Sequence, residues 1–187
     1  MTLNILSKKL FMELPDAVIF DTDNTLYPYE PAHKAATISV KQKASKLLGV
    51  KPEIFEDALS QSRREVKNRL GDVASSHSRL LYFQRAIELL GMKTQLLITL
   101  DLEQTYWRTF LENCKLFDST ITFLKHLKEL EIKTAIITDL TAQIQFRKII
   151  FFGLEDYFDF VVTSEESGMD KPNKNSFDLA LKKLKVN

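Results

Sequence analysis

Short apolar runs and amphipathic stretches alternate at both ends of this chain. Residues 17–20, 133–138 and 158–163 are apolar runs rich in β-branched or aromatic residues, which is typical of buried strands. Before, between and after the last two runs, apolar residues recur with the spacing of a helix face. These helical stretches are 121–130, 146–153 and 177–184. Strands that alternate with helices predict an α/β fold built on a parallel, Rossmann-like sheet with helices packed on it.

A long helical segment interrupts this alternation. Pro28 and Pro31 follow the first strand closely, and from there to residue 111 every apolar pattern has a helical period. The predicted helices are 32–48, 52–70, 80–90 and 96–111, and glycines close the first three. We therefore predict a discontinuous α/β core, residues 1–26 and 112–187, with an all-helical insertion at 27–111.

Composition excludes several classes of partner. The 26 basic and 25 acidic residues give a formal net charge of +1, which provides no field to attract nucleic acid or an anionic membrane. No apolar run is long enough to span a bilayer, and residues 1–15 lack the continuous apolar region of a signal peptide. Cys114 is the only cysteine, so no intrachain disulfide can form and a reducing, cytoplasmic location is expected.

Two carboxylates lie where the first strand should end. Asp21 and Asp23 directly follow the apolar run 17–20, at the carboxyl end of a predicted parallel strand, where open α/β sheets bind ligands. Two negative charges so close are costly unless a cation or a proton accompanies them. A hard divalent ion such as Mg²⁺ is the natural partner. An aspartate-rich strand exit is also how many loops and helix caps begin, so this pattern alone leaves both interpretations open.

Three short motifs, in this order along the chain, resemble those of the haloacid dehalogenase-like superfamily. The sequence Asp21-Thr22-Asp23-Asn24-Thr25 resembles the Asp-x-Asp-x-Thr motif of its phosphatases. Thr138 closes the second apolar run, as a Ser or Thr does in the second motif. Lys171, followed by Pro172, resembles the third motif, which lies on the loop after the third strand. An alternative for the second motif is that Thr138 or Asp139 simply caps the next helix.

The resemblance implies a mechanism. Asp21 would be the nucleophile that forms an aspartyl-phosphate, and Asp23 would be the general acid and base. The Asp21 carboxylate and the Asp23 main-chain carbonyl would bind Mg²⁺. Thr138, the adjacent Asp139 and Lys171 would surround the phosphoryl group. Dehalogenases of the superfamily lack the second aspartate, which favours a phosphatase over carbon–halogen hydrolysis.

The helical insertion resembles the cap that many of these phosphatases place after the first motif. Such a cap covers the site and selects the substrate, which implies a small phosphorylated metabolite. The polar stretch 71–79 contains His77 and Arg79, which are predicted to contact substrate. The alternative is an exposed loop whose serines cap the next helix.

One part of the superfamily pattern has no match. Its fourth motif, an acidic pair after a further strand, supplies a metal carboxylate, and nothing after Lys171 resembles it. Glu165, Glu166 and Asp170 are the nearest acids, although a solvated acidic loop explains them as well. We therefore expect an incomplete sheet whose strand 17–20 is an apolar edge prone to self-association. The alternative function is a catalytically inactive or truncated member that serves as a binding module or is a gene fragment.

Overall fold

A three-stranded parallel sheet forms the centre of the computed structural model, which describes residues 14–186. The strands are β1 (Ala17–Phe20), β2 (Lys133–Thr138) and β3 (Phe160–Thr163), in the order β1-β2-β3. Ala17 aligns with Lys133, and Thr138 aligns with Thr163. The predicted α/β class is confirmed. Strand β3 begins two residues later than predicted, because the Asp159 side chain accepts a hydrogen bond from the Thr134 main chain.

Four helices lie between β1 and the rest of the core. They are α1 (Tyr29–Leu48), α2 (Pro52–Leu70), α3 (Arg79–Leu89) and α4 (Leu96–Glu112). A short 3₁₀ turn, Ala74–His77, precedes α3. Helix α1 begins three residues earlier than predicted, because Pro31 falls in its first turn, where the missing N–H has no partner in the helix to lose. Gly49 ends α1 with a left-handed φ of 68°, which glycine adopts at little cost.

The remaining helices cover both faces of the sheet. They are α5 (Thr120–Glu129), α6 (Ala142–Phe151), the single turn α7 (Ser164–Ser167) and α8 (Asn175–Leu184). Leu124 of α5 and Ile144 of α6 pack in one large apolar cluster with Ile136, whereas Ile137 points to the other face, against Ala180 of α8. Alternate residues of β2 thus contact opposite helix layers.

Strand β1 lies at one side of the sheet. Among residues 14–186 it pairs with β2 alone, and Ala17, Val18 and Ile19 remain partly exposed while Phe20 is buried. Self-association through this strand stays a prediction. None of the helices in the described part of the chain is both long and apolar enough to cross a membrane.

Candidate active site

The first and third motifs meet at the carboxyl ends of β1 and β2. The Lys171 ammonium donates to Asp21 Oδ1 at 2.6 Å and to the main-chain carbonyl of Ile137 at 3.1 Å. The Asp21 side chain is 44% exposed and that of Lys171 is 21% exposed. Residues 150 positions apart therefore form one ion pair that remains accessible to a ligand.

Asp139 fixes the loop that carries Lys171. Its Oδ1 accepts the Lys171 main-chain N–H at 2.9 Å. Burial raises the pKa of the Asp139 carboxyl above its usual value, although this N–H and the Lys171 charge oppose the shift. The carboxylate is thus directed at the lysine loop, and the role of Asp139 in substrate binding stays a prediction.

Thr138 is buried at the end of β2, beside the first motif. Its hydroxyl lies 2.9 Å from the Thr22 hydroxyl, which links β2 to the loop after β1. Neither Thr138 nor Asp139 caps α6, because that helix begins after Thr141 and the Ala142 N–H donates to the Glu165 carboxylate at 2.8 Å. The capping interpretation is therefore wrong, while the predicted contact with a phosphoryl group stays a prediction.

Asp23 is held by two donors that the sequence did not reveal. The Lys148 ammonium lies 2.9 Å from Asp23 Oδ1, and the Tyr27 hydroxyl donates to the same oxygen. Burial, followed by the Asp23 charge, raises the pKa of the Tyr27 phenol, so the phenol stays protonated and continues to donate. One carboxylate oxygen of Asp23 is thereby fixed in place.

Lys148 is a buried cation. Its side chain is only 3% exposed, against 37% for its partner Asp23. Its ammonium lies 5.7 Å from the ring centre of Tyr27, 5.5 Å from that of Trp107 and 5.3 Å from that of Phe110. The one available sequence signal was that Lys148 follows Ile144 by four residues, which places it on the apolar face of α6.

His77 joins the helical insertion to the lysine loop. Its Nε2 lies 3.0 Å from Asp170 Oδ2, and the Asp170 main-chain N–H donates to the Asp72 carbonyl at 3.0 Å. Asp170 is buried, and its Oδ1 has no hydrogen-bond partner among the described residues. The predicted site residue His77 thus reaches the third motif, one residue away from Lys171.

Arg79 lies partly buried in the insertion. Its guanidinium donates to the Tyr29 hydroxyl at 2.8 Å and to the His77 carbonyl at 2.9 Å. Ser78 caps α3 by accepting from the Leu81 N–H at 3.4 Å, so the capping alternative is confirmed for this serine. For Arg79 the exposed-loop alternative is wrong, because its side chain faces the tyrosines.

The donors available for a divalent ion are oxygens of the type that Mg²⁺ prefers. The accessible Asp21 carboxylate and the Asp23 main-chain carbonyl remain the candidates, since Glu165 holds α6 and Glu166 pairs with Lys183 at 2.6 Å. Within residues 14–186 no three His, Cys, Asp or Glu side chains are grouped as metal ligands. Mg²⁺ commonly keeps several waters and uses one or two carboxylates, so this donor set fits a partly hydrated ion.

Comparison with known proteins identifies relatives over most of the chain. A family model described as haloacid dehalogenase-like hydrolase matches residues 15–187. A ribulose-1,5-bisphosphate 5-phosphatase from Halopiger xanaduensis is 41% identical over 169 residues, which cover 90% of this chain and 71% of the relative. A glyceraldehyde 3-phosphate phosphatase from Methanopyrus kandleri is 29% identical over 171 residues, 91% of this chain and 70% of that protein.

Solved structures share the architecture. The crystal structure of a HAD phosphatase from Thermococcus onnurineus superposes with a TM-score of 0.64 at 24% identity, over 91% of this chain and 72% of that one. A 2-haloacid dehalogenase from Pseudomonas syringae gives a TM-score of 0.66 at 22% identity, over 90% and 72%. At these identities the likeness concerns the fold.

Proposed function

This chain belongs to the haloacid dehalogenase-like hydrolases and is a phosphatase of that family; we propose that it hydrolyses phosphomonoesters of small metabolites. The reaction uses Mg²⁺, proceeds through an aspartyl-phosphate and takes place in the cytoplasm. The observation that carries the proposal is the contact of 2.6 Å between the Lys171 ammonium and Asp21 Oδ1. A nucleophilic carboxylate and an anionic phosphate repel each other, and a cation at this position offsets that repulsion. The lone Cys114 supports the cytoplasmic location.

Asp21 carries out the first step. One of its carboxylate oxygens attacks phosphorus in line, a bond forms between that oxygen and phosphorus, and the bond to the ester oxygen breaks. Lys171 bonds Oδ1, which leaves the second oxygen to attack. The Thr138 hydroxyl exchanges its bond to Thr22 for one to a phosphoryl oxygen. The Asp21 carboxylate and the Asp23 main-chain carbonyl would hold Mg²⁺, which when bound would further neutralise the phosphoryl charge.

Asp23 moves the protons. It protonates the departing ester oxygen, and it then takes a proton from the water that hydrolyses the aspartyl-phosphate. Lys148 and Tyr27 both bond Oδ1, so Oδ2 is the oxygen that exchanges the proton. This division between a fixed oxygen and a reactive oxygen lets one carboxyl serve both half-reactions without changing its position.

Phosphorylated sugars are the proposed substrates. The relatives that cover most of this chain are described as phosphatases of ribulose 1,5-bisphosphate and of glyceraldehyde 3-phosphate. Both are small, flexible phosphate esters, which suits a site covered by a helical insertion. We expect His77, whose Nε2 contacts the residue before Lys171, to approach such a substrate from the insertion.

Hydrolysis of an aryl phosphate tests the proposal. The wild type, an Asp21→Asn variant and an Asp16→Asn control should be assayed with Mg²⁺ and with a chelator; Asp16 is an exposed residue just before β1. Turnover should require Mg²⁺, fall about 1,000-fold or more in Asp21→Asn and be unchanged in the control. Equal turnover by Asp21→Asn would disprove the nucleophile, and no turnover of aryl or sugar phosphates would favour the inactive alternative.

A further inference from the structure

Arg79 is a partly buried cation that lacks an acidic partner among residues 14–186. None of the described carboxylates forms an ion pair with it, and its protein acceptors are a hydroxyl and a carbonyl. A guanidinium has five N–H donors, so three remain for a ligand. Its Cζ lies 5.1 Å from the ring centre of Tyr106 and 5.8 Å from that of Trp107, which holds the planar group in a defined orientation.

The guanidinium lines a cleft between the helices of the insertion. The cleft has a volume of about 160 Å³, less than the roughly 300–1,000 Å³ of a pocket for a whole ligand, so it suits a single chemical group. Arg63 also lines the cleft. Among the described residues, the one acid that lines the cleft is Glu56, which is paired with Lys41 at 2.7 Å. The cleft therefore has an excess of positive charge.

Neutral donors and acceptors complete this cleft. His33 Nδ1 lies 2.7 Å from the Tyr106 hydroxyl. Burial, and then the nearby Arg79 charge, lower the pKa of His33, which favours the neutral imidazole with one donor and one acceptor nitrogen. Thr37 and Ser60 line the same space. An anionic group would thus meet two guanidinium groups and several polar groups without facing an unpaired carboxylate.

Arg79 is also connected to the proposed catalytic loop. Tyr29, which accepts from Arg79, donates its main-chain N–H to the Asn24 side chain at 2.9 Å, next to Asp23. Arg79 further lines a second cavity, of about 220 Å³, together with Thr141 of the loop after β2. Arg79 therefore borders both the interhelical cleft and a cavity that the loop after β2 lines.

We propose that Arg79 binds a second anionic group of the substrate, a phosphate or a carboxylate, other than the phosphoryl group that is cleaved. This inference rests on the proposed function and specifies its substrate class. The second cavity is less suited to the anion, because Glu103 and Glu165 both line it. The interhelical cleft, with Arg63 and Arg79, is the better site for the anion.

A matched pair of substrates tests the inference. Ribulose 1,5-bisphosphate and ribulose 5-phosphate differ by one phosphate, and kcat/KM should be measured for both with the wild type and with Arg79→Gln. The ratio of kcat/KM for the bisphosphate to kcat/KM for the monophosphate should be about 10- to 100-fold lower in Arg79→Gln, because this variant loses charge-assisted hydrogen bonds to the second phosphate. Arg79→Lys should lose about 10-fold, because it keeps the charge but not the planar fork. Arg64→Gln, which alters an exposed arginine of α2, should keep the wild-type ratio.

Binding distinguishes failure of this inference from failure of the proposed function. Calorimetry should be done on Asp21→Asn with each sugar phosphate and with inorganic phosphate, with and without Arg79→Gln. Weaker binding of the bisphosphate alone in the double variant supports the inference, even where the wild type shows no turnover. Equal losses for both sugar phosphates, or no loss for either, overturn it. If Arg79→Gln weakens the binding of inorganic phosphate as much as that of the bisphosphate, the site binds a free anion. That result would also overturn the inference.

Protein stability is measured for each variant, because Arg79 begins α3 and its Cζ lies 5.5, 5.1 and 5.8 Å from the ring centres of Tyr82, Tyr106 and Trp107. If Arg79→Gln lowers the melting temperature, Arg79→Lys gives the decisive ratio, since the lysine retains the stem and the charge. A wild-type ratio in a stable Arg79→Lys protein together with a wild-type affinity for the bisphosphate refutes the guanidinium contact.

Discussion

The ion pair between Asp23 and Lys148 predicts unequal costs for removing its two members. The Lys148 side chain is 3% exposed and that of Asp23 is 37% exposed. If Lys148 is removed, water can solvate the Asp23 carboxylate, but if Asp23 is removed, water cannot reach the Lys148 ammonium. Asp23→Asn leaves a buried ammonium without an anion. Lys148→Met removes the buried charge itself and leaves a carboxylate that solvent can reach.

The magnitudes follow from this difference in exposure. Breaking a buried ion pair costs about 3–5 kcal/mol, and the remaining Asn oxygen can still accept one bond, so we expect about 3 kcal/mol for Asp23→Asn. Lys148→Met loses contacts with aromatic faces, worth about 1–2 kcal/mol, but avoids the burial of a charge, which leaves a net cost of about 0–1 kcal/mol. The double variant should resemble Lys148→Met, so the coupling between the two residues equals the cost of Asp23→Asn alone, about 3 kcal/mol.

Urea denaturation followed by circular dichroism measures these costs. With a slope of about 2 kcal/mol per molar urea, Asp23→Asn should lower the midpoint by about 1.5 M and Lys148→Met by less than about 0.5 M. A chelator is included so that no metal contributes. Equal midpoints for the two single variants, or additive losses in the double variant, would refute the reasoning and show that Lys148 is hydrated in the folded protein.

Two further predictions concern titratable groups. The lowered pKa of His33 means that the unfolded chain binds a proton at this residue more readily than the folded protein does. The contribution of neutral His33 to stability is therefore complete above pH 6.5 and is lost as the pH falls below it. The pH dependence of the urea midpoint should flatten in His33→Gln but not in His126→Gln, whose imidazole is 63% exposed, and an unchanged slope in His33→Gln would contradict this. Burial raises the pKa of the Cys114 thiol to about 11, so at pH 8 an aromatic disulfide reagent should label the native protein at least about 100-fold more slowly than the urea-unfolded protein. Similar labelling rates in both states would show that Cys114 is exposed.

The pairing of Asp21 with Lys171 was predictable from the sequence because of topology. Each motif residue lies at or after the end of an apolar run that predicts a strand, and the carboxyl ends of parallel strands lie at the same edge of a sheet. Thr138, at the end of β2, falls beside Thr22 for the same reason. The alternation of strands and helices along the chain was enough to predict that the motifs lie close together, without any knowledge of how the helices pack.

The roles of Lys148 and Asp170 could not be predicted in the same way. Lys148 becomes important only because aromatic side chains from the insertion pack over α6, and periodicity does not reveal which helices meet. Asp170 resembled a solvated loop acid until His77, 93 residues earlier, was placed against it. Such contacts depend on the packing of two separately patterned parts of the chain, which a single sequence does not encode in any local spacing.

Trp107 gives the molecule an intrinsic optical reporter at a useful position. It is the only tryptophan of the chain, it is 5% exposed, and the cationic groups of Arg79 and Lys148 lie 5.8 Å and 5.5 Å from its indole ring. The emission of an indole responds to the electric field across its ring, and here one cation belongs to the helical insertion and the other to the core. Its fluorescence should therefore register both the neutralisation of Arg79 by an anion and any separation of the two parts, without the attachment of a dye.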